Sequence, residues 1–181
     1  MVVKDLPLAG LKLIQLDVHN DKRGYFTETY NKDRYDFLPE FKQDNVSFSM
    51  IGVLRGLHYQ ETQPQGKLVS VISGCVFDAV LNIDPKHPEF GKWFGIKLVP
   101  GMQFYVPPFY AHGFKVLETE TLFQYKCTEM FKEGDGRTIA WDTAGIIWPD
   151  IDIDNAPKKP FLSEQDKKGE SFVEFASRKL I

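Results

Sequence analysis

Two strand-like runs meet at a turn in the stretch Val53–Val71, VLRGLHYQETQPQGKLVSV. In the first run His58 and Gln60 lie two residues apart, so the alternation of side chains along a strand places both on one face. The segment Gln63-Pro64-Gln65-Gly66 predicts a loop, and Lys67 begins the next apolar run. If the two strands are neighbours, an imidazole and an ammonium group converge on one pocket.

A histidine paired with a lysine suits proton chemistry beside a carbonyl group. Histidine can accept a proton near neutral pH, and a fixed lysine stabilises the negative charge that then develops on oxygen. A simpler interpretation is that His58 and Gln60 form an internally satisfied polar pair, since short isolated motifs of this kind are common. The choice between these interpretations depends on the other residues of the chain.

Length and composition describe an ordinary globular protein. The chain has 181 residues, of which 43% are hydrophobic and 14% aromatic, and its formal net charge is -3. These values predict one domain over residues 1–181, and the absence of a basic stripe argues against a nucleic acid or anionic membrane partner. We see no signal-peptide pattern and no apolar run that could span a bilayer, so we expect a cytoplasmic location. Cys75 and Cys127 lie in apolar runs and fit reduced core thiols.

Many short alternating runs separated by turns predict an all-β sandwich or barrel with a few short helices. The clearest strand predictions are Leu11–Val18, Tyr25–Tyr30, Gln43–Ser49, Leu54–Gln60, Cys75–Ile83 and Thr121–Cys127. Helices are predicted over Lys32–Leu38, with Asn31 as N-cap, and from Ser163 to a stop at Gly169. Residues 150–159 predict a loop.

The predicted strand Gln43–Ser49 carries an unusual polar face. Gln43, Asn45, Ser47 and Ser49 alternate along it and therefore share one side. Two interpretations remain open: a solvated surface, or the polar wall of a cavity.

A second histidine of interest, His112, lies in Pro107-Pro108-Phe109-Tyr110-Ala111-His112-Gly113-Phe114. This spacing of proline and histidine before an apolar strand is similar to the second motif of the cupins. Metal-binding cupins also have an HxH pair and a following glutamate in their first motif, where this chain has His58 and Gln60. The nitrogen ligands are too few for zinc or iron, so we expect no metal.

A set of spaced motifs follows in order along nearly the whole chain. The motifs are Arg23-Gly24-Tyr25-Phe26-Thr27-Glu28, Gln43-Asp44-Asn45, Leu54-Arg55-Gly56-Leu57-His58-Tyr59-Gln60, Gln65-Gly66-Lys67-Leu68-Val69, Phe90-Gly91-Lys92-Trp93, Ala111-His112-Gly113-Phe114, Tyr125-Lys126-Cys127-Thr128 and Ser163-Glu164-Gln165-Asp166. Together they closely resemble the dTDP-4-dehydrorhamnose 3,5-epimerase family. The resemblance implies a cupin-type β-jelly-roll homodimer that needs no metal or organic cofactor. It also implies an isomerase that inverts stereocentres beside the ketone of a nucleotide-linked 4-keto-6-deoxy sugar.

The resemblance implies catalytic roles for four residues. His58 would be the base and Asp166 would orient its imidazole, while Lys67 would stabilise the enolate and Tyr125 would reprotonate from the opposite side. Taken singly, these residues also fit blander interpretations. Lys67 could be a surface lysine at a strand end, Tyr125 a half-buried core aromatic, and Asp166 the acid of a capping box on Ser163.

The resemblance also implies a substrate-binding set. Arg23 and Arg55 would grip the pyrophosphate, since the planar donor fork of arginine suits phosphate oxygens. Phe26 would contact the nucleotide, with Arg23 and Phe26 contributed by the partner subunit. Other contacts to the substrate would come from Glu28, Gln43, Asn45, Gln60 and His112, and Phe131 would be a base-stacking ring.

Some positions depart from the usual pattern of that family. Phe109 replaces a glycine before Ala-His-Gly-Phe, Phe131 stands where tyrosine is common, and Gly136 lies near a usual glutamate. Two alternatives stay open: a 3-only epimerase or 3,4-ketoisomerase acting on a related nucleotide sugar, and a catalytically silent cupin that only binds such sugars.

Overall fold

A computed structural model describes residues 1–151 and 159–180 of the chain. Two sheets pack face to face and enclose a core to which both contribute. Val69, Phe104 and Phe123 come from one sheet, and Val80 and Phe114 come from the other. The alternating runs of the sequence thus form an all-β sandwich, as predicted.

The first sheet has six strands, in the order β1-β2-β10-β7-β12-β5. They are β1 (Val2–Asp5), β2 (Lys12–Gln15), β5 (Gln43–Ser49), β7 (Lys67–Ser73), β10 (Met102–Val106) and β12 (Thr121–Cys127). All its strand pairs are antiparallel.

The second sheet has five strands, in the order β13-β6-β11-β8-β9. They are β6 (Leu54–Gln60), β8 (Val76–Asn82), β9 (Trp93–Leu98), β11 (Tyr110–Val116) and β13 (Gly136–Thr138). A separate hairpin is formed by β3 (His19–Asp21) and β4 (Gly24–Phe26). None of the helices in the described part of the chain is long and apolar enough to cross a membrane.

Part of the outer face of each sheet is covered by other parts of the chain. Over the five-stranded sheet, helix α1 (Phe172–Lys179) buries Phe175 against the outward side chains Leu57 and Leu81. Over the six-stranded sheet, Tyr35 packs on Leu68. In β8 the apolar side with Ala79 and Leu81 therefore faces the α1 layer. The opposite side, which includes the polar residue Asp78, faces the interior.

The predicted helix over Lys32–Leu38 is wrong, because the segment forms turns. Its backbone starts a turn, with the amide groups of Arg34 and Tyr35 both donating to the Asn31 carbonyl at 3.0 Å. Tyr35 is then held by burial against the sheet and by donating its hydroxyl hydrogen to Gln103 Oε1 at 2.7 Å. Packing on the sheet overrides the weak local preference for helix.

The predicted strand Tyr25–Tyr30 ends early, at Phe26. Beyond that point side chains replace the ladder: Thr27 Oγ1 donates to the Asp17 carbonyl at 2.8 Å, and Gln103 Nε2 donates to the Thr29 carbonyl at 2.8 Å. The predicted strand Leu11–Val18 is likewise confined to β2.

Near the C-terminus, the predicted stop at Gly169 is confirmed, since a short 3-10 helix over Asp166–Lys168 ends there. Helix α1 was not predicted, although Ser171 and Glu174 form a capping box at its start. The predicted loop over residues 150–159 falls mostly on residues 152–158, outside the described residues.

Candidate active site

A cavity of about 170 Å³ lies between the two sheets. His58 on β6 and His112 on β11 line it from the five-stranded sheet, whereas Lys67 on β7 and Tyr125 on β12 line it from the six-stranded sheet. Arg55, also on β6, lines the same cavity. The structure thus brings together five residues that the sequence singled out.

The two histidines are neighbours because β6 and β11 pair in a register that places His58 opposite His112. A glycine permits this close pairing. At Gly56, where φ is +122°, an added Cβ would lie 2.5 Å from Gly113 Cα and 2.7 Å from the His112 carbonyl oxygen. Any other residue at this position would push the two strands apart and separate the imidazoles.

His58 is oriented by a carboxylate from the C-terminal segment. Its Nε2–H donates to Asp166 Oδ1 at 2.6 Å, which leaves Nδ1 as the nitrogen with a free lone pair. The carboxylate is itself held in place: the Gly56 amide donates to Oδ1 at 3.3 Å, and the Ser163 hydroxyl donates to Oδ2 at 2.7 Å. The Ser163 hydroxyl also accepts from the Asp166 amide at 3.1 Å, so one serine bonds both the backbone and the carboxylate of Asp166.

The Asp166 carboxylate is ionised despite being buried. Burial alone would raise its pKa, but the hydrogen bonds from His58, Ser163 and Gly56 outweigh burial and hold the pKa below the usual value. A charged Asp166 can stabilise the imidazolium that forms when His58 takes a proton.

A second His–Asp pair was missed by the sequence analysis. His112 Nε2 lies 2.9 Å from Asp78 Oδ1 and 3.0 Å from Oδ2, and both residues are buried. Desolvation raises the pKa of Asp78 and lowers that of His112, because burial disfavours the charged form of each group. A signal was present: Asp78 interrupts the apolar strand VFDAVLN, and a buried carboxylate requires a partner.

On the other wall, burial shifts the pKa values of both Tyr125 and Lys67. Desolvation raises the pKa of the Tyr125 phenol above its ordinary 10.0, so the phenol keeps its proton at neutral pH. Desolvation lowers the pKa of Lys67, while Cys127 and Asp78 act to raise it. Lys67 is the register partner of Cys127, two pairs along from Tyr125 and Val69, so the lysine and the phenol lie on the same face of the sheet.

The polar face of β5 is partly buried, and through Ser47 it contributes to the cavity wall. Along this strand Gln43, Asn45, Ser47 and Ser49 are buried or partly buried, while the intervening residues are exposed. Gln43 Nε2 donates to Asn45 Oδ1 at 2.9 Å. Gln43 Oε1 accepts from the amide of Phe131 at 2.7 Å, which holds that exposed ring beside the strand.

Gln60 shares the inner face with His58 but is occupied by the protein. Its Nε2 donates to the Gln63 carbonyl at 2.9 Å and the Met130 carbonyl at 3.2 Å, and its Oε1 accepts from the Lys132 amide at 2.8 Å. Gln60 instead lines a larger cavity of about 350 Å³ beside α1. That cavity shares Lys67 with the smaller one, and both His58 and His112 line only the smaller one.

Arg23, Phe26 and Glu28 do not reach the cavity within this chain. The Arg23 guanidinium is 90% exposed and pairs with Asp21, and Phe26 is 70% exposed. Glu28 binds Arg34 at 3.0 Å. These residues lie on and beside the hairpin β3-β4, apart from the catalytic groups of their own chain.

Among residues 1–151 and 159–180, no three His, Cys, Asp or Glu side chains converge as a metal site would require. The two His–Asp pairs are separate contacts rather than one donor set.

The fold and this geometry agree with known proteins. The model of the dTDP-4-dehydrorhamnose 3,5-epimerase family matches residues 5–174. Curated relatives with that name include one from Methanothermobacter thermautotrophicus, 39% identical over 88% of this chain and 88% of its own. Another, from Shigella flexneri, is 40% identical over 87% of this chain and 88% of its own.

Among solved structures, the dTDP-6-deoxy-D-glucose-3,5-epimerase of Legionella pneumophila, in complex with dTDP-4-keto-L-rhamnose, superposes with a TM-score of 0.90. It is 35% identical, and the match covers 99% of this chain and 96% of the other. The predicted cupin-type jelly-roll fold is thereby confirmed. The chain belongs to the dTDP-4-dehydrorhamnose 3,5-epimerase family of isomerases.

Proposed function

We propose that the protein epimerises the carbons beside the 4-ketone of a dTDP-linked 4-dehydro-6-deoxy sugar. One observation carries the proposal: a histidine held by a carboxylate and a protonated tyrosine line one cavity from opposite sheets. Epimerisation beside a ketone requires a base on one face of the carbon and an acid on the other. The relatives named above are 3,5-epimerases, and the Legionella enzyme binds a dTDP-linked keto sugar.

The reaction begins when His58 Nδ1 removes the proton from the carbon beside the ketone. Asp166 stabilises the resulting imidazolium, and the electron pair moves onto the ketone oxygen as an enolate. Lys67 stabilises that oxygen. Tyr125 then donates its phenolic proton to the opposite face of the same carbon, which inverts the centre. His58 then releases its extra proton to solvent and Tyr125 takes one up, which returns both residues to their starting states.

Arg55 is suited to the pyrophosphate. Its Nε donates to Ser49 Oγ at 3.1 Å and its Nη2 to the Phe48 carbonyl at 3.4 Å. It makes no ion pair with a carboxylate in the described ranges, so its charge is available to an anion. Phe131, exposed beside β5, is placed to stack on the nucleobase. His112 lines the same cavity and completes the substrate-binding set, whereas Gln43, Asn45 and Gln60 are hydrogen-bonded within the protein.

The protein acts as a homodimer in which each hairpin serves the other subunit. Arg23 and Phe26 do not line the cavity of their own chain, and contact with the cavity of a second subunit would explain their exposure. The outer face of the six-stranded sheet also exposes apolar side chains at Val46 (66%), Phe48 (55%) and Ile72 (37%), which a second subunit would cover.

Mixing two inactive variants tests the shared site. Arg23→Ala lacks a phosphate contact and His58→Asn lacks the base, but a mixed dimer has one cavity with both. Random exchange should restore activity at about one quarter of all sites. No recovery after subunit exchange, or a monomeric mass in solution, would exclude the shared site.

Product analysis in deuterated water tests the reaction itself. Incubation with dTDP-4-dehydro-6-deoxyglucose should place deuterium at both carbons that flank the ketone and invert both. Exchange at the 3-position alone would indicate a 3-only epimerase, and migration of the ketone would indicate a ketoisomerase. Binding without exchange would leave only a sugar-binding cupin.

The reaction needs no metal or organic cofactor, since His58, Lys67 and Tyr125 supply base, charge stabilisation and acid. Exhaustive chelation should leave turnover unchanged. Loss of turnover that one added metal restores would contradict this. We also propose a cytoplasmic location, which cell fractionation would test.

A further inference from the structure

The side-chain oxygen of Ser47 is buried without a hydrogen-bond partner, and no other buried side-chain nitrogen or oxygen of the described residues shares this condition. Buried hydroxyl groups are normally paired, because desolvating an unpaired one costs free energy. An unpaired hydroxyl in a native protein therefore calls for a functional explanation.

The neighbours of Ser47 on the same face are all satisfied within the protein. Gln43 and Asn45 bond to each other at 2.9 Å, and Asn45 Nδ2 also lies 3.7 Å from Cys127 Sγ. Ser49 Oγ accepts from Arg55 Nε at 3.1 Å. The unpaired group is thus a property of one position and not of a loosely packed strand.

Ser47 borders the cavity in which the substrate would bind. Its side chain lines the cavity that His58, Lys67 and Tyr125 also line. On β5 it pairs with Phe123 of β12, and the adjacent inward pair on the same two strands is Asn45 with Tyr125. Ser47 therefore lies on the same cavity wall as Tyr125. Along β5 it lies between Asn45, the partner of Tyr125, and Ser49, which accepts a hydrogen bond from Arg55.

We infer that Ser47 is a specificity-determining residue whose hydroxyl hydrogen-bonds a hydroxyl group on the sugar ring. The inference rests on the proposed function and names a contact within that site. In the proposed reaction His58 and Tyr125, which line the same cavity as Ser47, act on the sugar ring, and Arg55 supplies the cation that a phosphate requires. A serine hydroxyl both donates and accepts, which matches a neutral sugar hydroxyl. A site built around such a bond rejects analogues that lack the hydroxyl.

Stability and binding should respond in opposite directions to removal of this hydroxyl. Because the group has no protein partner, Ser47→Ala removes an unpaired polar atom and should leave Tm equal to or above that of the wild type. A hydroxyl that serves the fold would instead lower Tm. Ser47→Cys keeps the shape with a weaker donor and gives a second folded variant for the same measurements.

Calorimetric titration with two unreactive probes separates the sugar from the phosphates. The probes are dTDP alone and dTDP-6-deoxyglucose, which carries the ring hydroxyls but no ketone. Ser47→Ala should weaken dTDP-6-deoxyglucose roughly three- to ten-fold and leave the Kd of dTDP unchanged. Ser73→Ala, an exposed serine on β7, is the matched control and should change neither Kd.

Three outcomes would overturn the inference: equal weakening of both probes, which would indicate a phosphate contact; unchanged Kd for both; or a lowered Tm in both Ser47 variants. Wild-type turnover of dTDP-4-dehydro-6-deoxyglucose, measured on the same preparation, keeps the two proposals apart. Turnover with no Ser47 effect on the sugar probe contradicts this inference alone. Absence of turnover contradicts the proposed function, whatever the probes show.

Discussion

His58 and Tyr125 enter one cavity from opposite sheets, His58 on β6 of the five-stranded sheet and Tyr125 on β12 of the six-stranded sheet. A sandwich therefore suits the proposed inversion, because a carbon held between the sheets would meet His58 on one face and Tyr125 on the other. The separation of the two roles is built into the fold, since neither strand pairs with the other.

Replacing Asp166 by Asn should impair proton removal without impairing nucleotide binding. The variant keeps the shape but loses the negative charge that stabilises imidazolium at His58, which lies 2.6 Å away. We expect kcat to fall by about a hundred- to ten-thousand-fold, while the Kd for dTDP stays near the wild-type value. Ser163→Ala, which removes only a bond to the carboxylate, should have a smaller effect on kcat. A wild-type kcat for Asp166→Asn would remove this residue from the mechanism.

Lys67→Met should lower activity and raise stability. Enolate stabilisation is lost, and so is the cost of desolvating the ammonium, which lowers the pKa of Lys67. A depressed lysine pKa means that the penalty is fully present below the folded-state pKa and disappears as the pH rises to the unfolded value of 10.5. The stability advantage of the variant should therefore be largest near neutral pH and shrink towards pH 10.5. Chemical unfolding at several pH values measures it, and a less stable variant at neutral pH would contradict the argument.

Glu61, which directly follows β6, forms ion pairs with Arg178 and Lys179 of α1, and these pairs should make stability sensitive to acid. Hydrogen bonds from Arg178 and Lys179 lower the pKa of Glu61 from 4.5 to about 2. Its stabilising effect is present above pH 4.5 and is lost as the pH falls towards 2. Glu61→Gln should cost on the order of 1 kcal/mol at pH 7, after allowance for solvent screening. The difference from the wild type should fade in acid, whereas Glu133→Gln, at an exposed position, should show no difference at either pH.

The strands, and the side chains that share one face of each strand, could be predicted because the alternation of residues along a strand is a local pattern. Alternation in LRGLHYQ places His58 and Gln60 on one side, and alternation in QDNVSFS places Asn45 and Ser47 on one side. Which side faces the cavity is not a local property, because it depends on the second sheet and on the segment that covers the first. For the same reason the contact between Asp78 and His112, which come from different strands, could not be read from either strand alone.

Long-range contacts also explain the helix error. The Lys32–Leu38 segment has a suitable N-cap, but Tyr35 is more stable packed on the sheet and bonded to Gln103 than exposed on a short helix. Helix α1 is the opposite case: it was not predicted, although the sequence carries the capping pair Ser171 and Glu174 at its start. The distance of Arg23 and Phe26 from their own cavity agrees with the sequence-based expectation that a partner subunit supplies them, which stays a prediction.

Glycine should be preferred over alanine at position 109. Phe109 has φ of +68°, in the left-handed region that disfavours any side chain. Phe109→Gly and Phe109→Ala lose the same aromatic contacts, so their difference isolates the backbone. We expect the free energy of unfolding to be about 1 kcal/mol higher for the Gly variant than for the Ala variant, which reverses the usual order of the two residues. Equal or inverted stabilities in denaturant would show that the backbone relaxes when the ring is removed.

The most direct test of the account follows deuterium uptake and inversion separately in two variants. With a dTDP-linked 4-dehydro-6-deoxy sugar in deuterated water, His58→Asn should lose both processes. Tyr125→Phe, which keeps the ring but has no acidic proton, should retain some uptake through His58 while inversion falls further, by about a hundred- to ten-thousand-fold. Near-wild-type inversion by Tyr125→Phe, or near-wild-type uptake by His58→Asn, would contradict a base and an acid that act from opposite sheets.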